Sequence, residues 1–494
     1  MQSSIRVSNV SYELPNGRFL FNNISFSLTK NITALVGPNG IGKTTLAQLL
    51  KGELLPKTGS ITKFSSVTLL SQWDEPVDMT VEEYLINNYS WSLLGEKLIA
   101  GISKSNCCTQ LSGGQWMRLR LANMMKDQFM ILDEPTNDLD REAKLILLDF
   151  LKNNHQGILL ISHDREFLEL SEFVIELSSQ GLRKYGGGWR SYEEEKKRER
   201  NQLSNSLLKA KKERDVAKNQ RIIEIQKQEK RNRRGKVSAL KGGIPKILVG
   251  ARKRKAQGTT GKIDVFTMKQ ANEGVRAAYE AFSEMKIDPK MYINLSGVEV
   301  PNNKTVIEAK DFNIFYKNWI YKKDLNFLWK GNFRLVIKGN NGSGKSSLLK
   351  VIMGSSLKTK GDLRVADLTK IYIDQNSSNL DETKSIIENV CQKSLKSEDE
   401  VRGDLAKFLF KGDSVFQKVN SLSGGERLRA ALACGLLQSE KPELLILDEP
   451  TNNLDLENIN FLENLISQFK GAIVMTSHDE IFLENCQINQ ELCL

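Results

Sequence analysis

Short apolar runs recur along the chain, and each run ends at a polar or glycine-rich segment. The runs cover residues 32–36, 129–132, 157–161, 333–337, 444–447 and 471–475. Runs of this length between polar flanks are typical of parallel strands that are buried on both faces. Because a helix-like segment, 45–50, follows the first run, the pattern predicts an α/β fold in which buried strands alternate with helices.

Four motifs occur twice in the same order, which indicates a duplicated domain. The pairs are Gly37–Thr44 with Gly339–Ser346, Leu111–Gln115 with Leu422–Glu426, Ile131–Asn137 with Ile446–Asn452, and Ser162–Asp164 with Ser477–Asp479. Their spacing predicts a first domain at 1–190 and a second at 303–494. The segment 191–302 then connects the two domains.

The first motif places glycines, a lysine and a hydroxyl residue between a predicted strand and a predicted helix. This is the context of a phosphate-binding loop, in which backbone N–H groups and the helix N-terminus bind phosphate. Lys43 is expected to reach the β- and γ-phosphates of a nucleotide, and Thr44 to bind Mg²⁺. Lys345 and Ser346 repeat these roles, and two matches in the same context argue against coincidence.

Two carboxylates follow the apolar run at 129–132, and two more follow the run at 444–447. Asp133 and Asp448 are expected to bind Mg²⁺, while Glu134 and Glu449 are placed to polarise the attacking water. Phosphoryl transfer depends mainly on such positioning and on charge neutralisation. The same Pro-Thr-Asn sequence follows both pairs, which argues against two unrelated acidic strand ends.

The chain has three histidines, and two of them occupy equivalent positions after apolar runs. His163 and His478 are expected to contact a γ-phosphate from the ends of their strands. His155 has no counterpart in the second half and is predicted to be a surface residue.

With the repeated Leu-Ser-Gly-Gly-Gln/Glu sequence, these motifs resemble those of ABC-type ATPases. The resemblance implies that each such sequence starts a helix in one domain and caps the γ-phosphate held by the other domain. One site would combine Lys43, Glu134 and His163 with Ser423 and Gly425. The other would combine Lys345, Glu449 and His478 with Ser112 and Gly114.

The same resemblance implies the remaining ligand contacts. The nucleotide would be bound by Tyr12, Gly37, Asn39, Gly40, Gly42, Lys43, Thr44 and Thr45, and by Gly339, Asn341, Gly342, Gly344, Lys345, Ser346 and Ser347. Gln72 and Gln375 would link Mg²⁺ and water to domain motion. Asp140 and Asp455 would lie in loops that cross the domain interface. Tyr12 would stack on adenine, and its counterpart is either Phe315 or Tyr316.

Within this superfamily the chain resembles the ABC-F proteins, which act on ribosomes. Both domains lie on one chain, both carboxylate motifs continue as Asp-Glu-Pro-Thr-Asn-X-Leu-Asp, and a long charged segment joins the domains. Asp138 and Asn453 replace the histidine that is usual in this motif, which leaves the subgroup open. The resemblance implies ATP and Mg²⁺ as cofactors and ATP hydrolysis as the reaction.

The connecting segment carries the excess positive charge. Residues 190–262 contain 24 Lys and Arg against 8 Asp and Glu, hence +16; the whole chain carries +11, so the remainder carries −5. Such a concentration of charge is typical of a surface that binds a polyanion. We expect ribosomal RNA and tRNA as partners.

The pattern of the segment predicts an antiparallel helical hairpin. Tyr192 to Arg234 is nearly all polar, which predicts a solvated helix. The apolar positions from Met268 to Met285 follow the spacing of a coiled coil. A glycine-rich tip is predicted near 235–262, and a long tip resembles that of members that protect ribosomes from antibiotics.

The complete prediction is a cytoplasmic monomer with intramolecular pairing of two tandem ABC-type P-loop domains. No stretch is apolar enough to span a bilayer, and a membrane is not expected as a partner. Two alternatives remain open: the ATPase subunit of a membrane transporter, and a DNA-associated ABC ATPase or assembly factor.

Overall fold

The computed structural model describes most of both repeated halves and one long helix between them. The described residues are 4–15, 17–71, 74–88, 93–123, 129–137, 139, 141–153, 156–178, 180–240, 276, 299–316, 318–340, 342–374, 377–452 and 454–494. The chain divides into two compact units. The first unit combines Met1–Tyr192 with Met291–Leu494, and the second is Glu193–Lys290.

The first half alternates strands and helices as its apolar pattern predicts. Its strands are β1 (Ile5–Glu13), β2 (Phe19–Leu28), β3 (Ile32–Val36), β4 (Thr58–Lys63), β5 (Val67–Leu70), β6 (Phe129–Asp133), β7 (Ile158–Ile161), β8 (Phe173–Ser178) and β9 (Gly181–Gly186). Its helices are α1 (Lys43–Lys51), α2 (Val81–Asn88), α3 (Leu93–Ile99), α4 (Gly113–Asn123), α5 (Arg141–Asn153), α6 (Arg165–Leu168) and α7 (Gly188–Leu240).

The second half repeats this order. Its strands are β10 (Thr305–Phe315), β11 (Leu325–Lys330), β12 (Arg334–Lys338), β13 (Lys358–Val365), β14 (Lys370–Ile373), β15 (Leu444–Asp448), β16 (Ala472–Thr476) and β17 (Gln490–Cys493). Its helices are α8 (Lys345–Ile352), α9 (Ile386–Cys391), α10 (Glu398–Leu405), α11 (Gly424–Leu436), α12 (Leu456–Gln468) and α13 (Glu480–Asn485).

Each half is built on one buried sheet, in the order β5-β6-β7-β3-β8-β9 and β14-β15-β16-β12-β17. All neighbours are parallel except β8 and β9. Every residue of β3, β6 and β7 is buried, because helices and a second layer cover both faces. The carboxyl ends of these strands meet at one edge, where ligands bind in open parallel sheets.

Two smaller layers complete each half. Antiparallel sheets are formed by β2-β1-β4 and by β11-β10-β13. A helical subdomain follows the central sheet in sequence, and its core in the first half includes Val81, Cys108 and Trp116. In the second half, α9 and α10 both begin at serines whose side chains complete a capping box.

The predicted solvated helix is present and is longer than the sequence pattern indicated. It begins at Gly188 and continues to Leu240, through Gly235, where the pattern predicted the tip to begin. One glycine costs a helix only about 1 kcal/mol relative to alanine, so a helix this long accommodates it. The coiled-coil positions from Met268 to Met285 and the rest of the predicted tip lie outside the described residues. In the part of the chain that is described, no helix combines the length and apolar character of a membrane span.

Candidate functional site

The phosphate-binding loops have the conformation that their glycines permit. Gly42 immediately precedes α1 and has a left-handed backbone with φ of 107°; Gly344 has φ of 94° before α8. A Cβ atom on Gly42 would lie 2.6 Å from Leu20, and one on Gly344 would lie 2.5 Å from Ile320. Any larger residue would therefore clash as well as strain the backbone. The loops leave the N-termini of α1 and α8 directed at the ligand position.

The two loop lysines are buried in matching positions. Lys43 Nζ donates to the Gly37 carbonyl at 2.7 Å and lies 3.2 Å from His163 Nε2. Lys345 Nζ donates to the Gly339 carbonyl at 2.7 Å and lies 3.1 Å from His478 Nε2. Burial lowers the pKa of Lys43, although the carboxylates of Glu134 and Asp455 raise it. In each half, the predicted lysine and the predicted histidine therefore lie side by side in an equivalent cluster.

Both glutamates of the carboxylate motifs adopt a strained backbone. Glu134 has φ of 50° and Glu449 has φ of 47°, in a region that costs non-glycine residues about 1–3 kcal/mol. The strain directs each carboxylate at a histidine: the distance to His163 or His478 Nε2 is 3.4 Å in both halves. Such strain often accompanies a functional site.

Burial controls the charges of the first cluster. It raises the pKa of Glu134 to about 8, although the Lys43 charge opposes it. Burial and then Lys43 lower the pKa of His163 well below its ordinary value, so this imidazole is neutral near pH 7. Near pH 7 burial therefore favours the neutral forms of both Glu134 and His163.

The aspartates at the strand ends differ between the halves. Asp133 interacts with the Thr44 hydroxyl, and its Oδ2 atom is buried without a hydrogen-bond partner. Asp448 accepts from the Thr476 hydroxyl at 2.8 Å and from the Tyr372 hydroxyl at 3.2 Å. A carboxylate oxygen without a hydrogen-bond partner, beside a threonine hydroxyl, is suited to binding a divalent cation. Mg²⁺ is typically bound by one or two carboxylates together with substrate phosphates. The motif pattern did not reveal Tyr372 and Thr476.

The repeated Leu-Ser-Gly-Gly sequences begin helices, as the resemblance implied. The Ser423 hydroxyl accepts from the Glu426 N–H at 3.4 Å and donates to the Glu426 carboxylate at 2.7 Å. Ser112 likewise accepts from the Gln115 N–H at 3.3 Å. Gly114 and Gly425 lie in the first turns of α4 and α11. Backbone N–H groups in the first turn of a helix lack acceptors within the helix, so such N-termini are suited to an anion.

The phosphate loop of the first half contacts the loop after the carboxylate motif of the second half. The Asn39 N–H of the first phosphate loop donates to Asp455 Oδ2 at 3.3 Å. Asp455 also accepts from the Asn458 N–H at 2.9 Å and so caps α12. Leu456 packs against the first-half core cluster that contains Val36. Asp455 therefore lies at the interface, as implied, while Asp140 lies outside the described residues.

A second contact between the halves was not apparent from the sequence. Arg165, two residues after His163, is buried and binds Glu463 at 2.6 Å and Asn460 at 2.8 Å. Removal of one partner of such an ion pair strongly lowers the stability of the fold, because the other charge is left buried and unpaired. Side chains of both halves also line a cavity of about 60 Å³, including Glu134, Lys144, His163, His478 and Asp479.

The structure offers new candidates for the adenine contact. Tyr12 is partly buried against the first-half core. Phe19 is 50% exposed and precedes Leu20, which lies over Gly42; Trp319 is 44% exposed and precedes Ile320, which lies over Gly344. Of the two predicted counterparts, Phe315 packs edge-on against Trp319 at 5.3 Å, and Tyr316 is 74% exposed.

The remaining predicted residues divide into two groups. Thr44, Thr45, Ser346 and Ser347 lie in the first turns of α1 and α8, and Gly40 and Gly342 have positive φ angles within the loops. Gln72, Asn341, Gln375 and His155 lie outside the described residues.

Comparison with known proteins shows similarity to ABC ATPases in both halves of the chain. The sequence profile of the ABC transporter family matches residues 21–137 and 323–452, which together are half of the chain. The ATP-binding protein Uup of Buchnera aphidicola subsp. Schizaphis graminum is 29% identical over 510 residues, covering 97% of this chain and 79% of that protein. The ribosome protection protein VmlR of Bacillus subtilis is 27% identical over 501 residues, covering 98% and 85%.

A solved structure shares the fold. In the complex of archaeal ribosomal stalk protein aP1 and archaeal ribosome recycling factor aABCE1, the match has a TM-score of 0.62 at 17% identity, covering 97% of this chain and 86% of that chain. The comparisons confirm the predicted pair of ABC-type domains and the resemblance to ABC-F proteins. The helical hairpin stays a prediction.

Proposed function

Because this chain belongs to the ABC transporter family and carries that family's ATPase domain twice, we propose that it binds ribosomes and modulates translation in an ATP-dependent cycle. The two domains bind and hydrolyse ATP. Our proposal is that closure over two ATP molecules favours the ribosome-bound state and that hydrolysis drives release. The hydrogen bond between Asn39 and Asp455 is the main support for an intramolecular pair of ATPase domains.

The clusters described above suggest a role for each residue in hydrolysis. Lys43 and Lys345 would bind the β- and γ-phosphates after breaking their contacts with the loop carbonyls. Asp133 with Thr44, and Asp448 with Ser346, would hold Mg²⁺, assisted by Gln72 and Gln375. When bound, Mg²⁺ supplies charge neutralisation at the phosphates.

Glu134 and Glu449 would orient and deprotonate the attacking water, and His163 and His478 would contact the γ-phosphate. The pKa of Glu134, raised by burial to about 8, suits a general base, since such a base works best when its pKa lies near the operating pH. Ser423 with Gly425 would complete the site built on Lys43, and Ser112 with Gly114 the site built on Lys345.

The connecting segment supports the ribosome as partner. Helix α7 spans Gly188–Leu240 and is therefore about 80 Å long. All but its first two residues lie within the region 190–262, which carries a net charge of +16 from 24 basic and 8 acidic side chains. Rows of lysine and arginine bind nucleic acid by releasing counterions from phosphates. The more specific form of our proposal is protection of the ribosome against large-subunit antibiotics, and the relative named as a ribosome protection protein supports its ribosome part.

Co-sedimentation with matched charge variants tests the ribosome proposal. One variant replaces Lys209, Lys211, Lys212 and Lys218 of α7 with glutamine; the control replaces Lys152, Lys322, Lys323 and Lys393, which are also exposed. Both lose four charges. Only the α7 variant should bind ribosomes more weakly in the presence of ATP, with a smaller dependence on salt.

The alternatives predict other outcomes of the same assay. Recovery with membranes rather than ribosomes would favour a transporter subunit. Binding that is sensitive to deoxyribonuclease and not to ribonuclease would favour the DNA-associated alternative. Either result would reject the ribosome proposal.

A further inference from the structure

The two phosphate loops are covered by equivalent aromatic side chains that differ in one hydroxyl group. A Cβ atom on Gly42 would lie 2.9 Å from the ring of Phe21, and one on Gly344 would lie 3.2 Å from the ring of Tyr321. Both rings are buried, with 3% and 6% of their residues exposed. The second half therefore places a buried phenol where the first half has a phenyl ring.

The Tyr321 hydroxyl binds the second phosphate loop directly. It donates to the Gly344 carbonyl at 3.1 Å. The same carbonyl accepts from the Leu348 N–H at 3.0 Å, at the start of the hydrogen-bond ladder of α8. A carbonyl oxygen has two lone pairs, so it can accept from both donors. Gly344 is thereby held from two sides in the left-handed conformation that connects the loop to the helix.

Tyr321 is itself fixed by Asn313 of β10, which is 1% exposed. The Asn313 side chain accepts from the Tyr321 N–H at 3.0 Å and donates to the Tyr321 carbonyl at 2.8 Å. It also donates to Asp324 at 2.9 Å. Because both backbone groups of Tyr321 are paired with one buried side chain, the phenol ring is anchored where it meets the loop.

The first half lacks the residues that make this connection. Ser11 takes the place of Asn313, since each lies two residues after a residue of positive φ, which is Asn9 in β1 and Asp311 in β10. The Ser11 hydroxyl accepts from the Asn23 N–H at 3.0 Å, so it fixes a different part of β2. The phenyl ring of the first half has no hydroxyl to donate. The connection from β10 through the ring to the loop therefore belongs to the second half.

We infer that the Tyr321 hydroxyl is a positioning group of the second ATP site, which holds the phosphate loop in its binding conformation before the nucleotide arrives. The inference rests on the proposed phosphate-binding roles of the two loop lysines. Glycine has wide conformational freedom, so a glycine-rich loop samples other conformations unless it is held. Apparent affinity falls with the fraction of molecules that are competent to bind. The hydrogen bond raises this fraction at the second site.

Removal of this hydroxyl should weaken nucleotide binding at the second site alone. In Lys43→Ala protein, where only the second site retains its loop lysine, adding Tyr321→Phe should raise the Kd for the fluorescent analogue mant-ATP roughly 3- to 10-fold, the equivalent of one hydrogen bond. In Lys345→Ala protein, the same substitution should leave the Kd of the first site unchanged. Replacement of Tyr321 with para-aminophenylalanine, which restores a donor at the same position, should recover most of the affinity.

Tyr185→Phe is the matched control. Tyr185 is 4% exposed, and its hydroxyl donates to Glu176 at 2.9 Å. The substitution therefore removes the hydrogen bond of a buried tyrosine from the other half and leaves the second phosphate loop intact. In the Lys43→Ala background it should leave the Kd for mant-ATP unchanged.

Two further measurements use protein in which both loop lysines are intact. Tyr321→Phe should raise KM for ATP and leave kcat nearly unchanged, because the loop regains its conformation once ATP is bound. Amide hydrogen exchange of the loop 339–345 should become faster in the nucleotide-free variant and return to the native rate with saturating ATP. A lower melting temperature with unchanged Kd, KM and loop exchange would show that Tyr321 only stabilises the fold, and it would overturn the inference.

An equal loss of affinity in both lysine backgrounds, an equal loss with Tyr185→Phe, or a failure of para-aminophenylalanine to restore binding would also overturn it. Native affinity for mant-ATP in the Lys43→Ala/Lys345→Ala double variant would instead overturn the proposed roles of the lysines. Hydrogen exchange of the loop, measured with both lysines present, would then still decide the inference about Tyr321.

Discussion

Asn39 and Asp455 are 416 residues apart, yet the Asn39 N–H donates to the Asp455 carboxylate at 3.3 Å. The contact joins the phosphate loop of one domain to the loop after the carboxylate motif of the other. The Asp455 charge also helps to keep Lys43 protonated. We therefore expect occupancy of the first site to depend on the position of the second domain.

Two replacements of Asp455 should distinguish its contact with Asn39 from its role as the N-cap of α12. Asp455→Ala loses both the contact with Asn39 and the cap of α12, and we expect lower ATPase activity and a stability loss of about 1 kcal/mol. Asp455→Ser retains a capping hydroxyl, so it should lower activity while its thermal unfolding stays near that of the native protein. Equal activity of Asp455→Ser and the native protein would show that the contact is not needed.

The paired glutamates predict a trapped state. Glu134→Gln with Glu449→Gln should reduce ATP hydrolysis by about 10²- to 10⁴-fold, the usual range for loss of a general base. ATP should still bind, because Lys43 and Lys345 are intact, and ATP-dependent ribosome binding should persist for longer. Lys43→Ala with Lys345→Ala is the contrasting variant, which should lose ATP binding itself. Normal turnover in the glutamine variant would contradict the assignment.

The pKa of Glu134 predicts the pH dependence of stability. Its ordinary value is 4.5, and burial raises it to about 8 in the folded protein. Below pH 4.5 the carboxyl is protonated in both states, so it has no effect. Between these values the unfolded state ionises while the folded state retains its proton, so the folded protein loses stability progressively until pH exceeds 8.

Glu134→Gln should therefore raise the melting temperature of the nucleotide-free protein at pH 8.5 and have little effect at pH 5. The expected gain is roughly 2–4 °C for each kcal/mol recovered. Glu142→Gln, an exposed change on α5, is the control. A gain that is equal at both pH values would show that ionisation of Glu134 is not the cause.

Motifs that act through local geometry could be predicted from the sequence, whereas contacts between the halves could not. Glycine, lysine and carboxylate positions are dictated by the strand, loop and helix that contain them, and Lys43, Glu134 and His163 meet as expected. Arg165 and Glu463 are 298 residues apart, and no local pattern pairs them. Tyr372 and Thr476 resemble ordinary strand residues until their strands lie beside Asp448.

The exposed aromatic residues beside the phosphate loops, Phe19 and Trp319, are expected to stack on adenine. Trp319→Ala should weaken ATP binding at the second site by roughly 3- to 10-fold, since stacking contributes about 0.5–1.5 kcal/mol. Phe19→Ala should do the same at the first site. Tyr316→Ala is the comparison variant, because Tyr316 is exposed and is one of the two residues that the sequence predicted for adenine stacking at the second site. A larger loss for Tyr316→Ala would reassign the contact.

The proposed tip of the connecting segment lies outside the described residues. An apolar stretch from Ile244 to Val249 precedes four consecutive basic residues, Arg252–Lys255. The two parts are expected to act separately. Neutralising Arg252–Lys255 should lower ribosome affinity and its salt dependence, because fewer phosphates are neutralised.

Deleting Lys241–Val249 should instead leave ribosome affinity and ATPase activity nearly intact, because the basic residues of α7 and both ATP sites remain. Protection of cell-free translation against large-subunit antibiotics should be lost, because a shortened tip no longer reaches the site at which it acts. The measurement is translation with and without drug, alongside salt-dependent ribosome binding for both variants. If the deletion variant protects translation as well as the native protein, the tip is only a connector, and the protection form of the proposal fails while ribosome binding through the basic residues still stands.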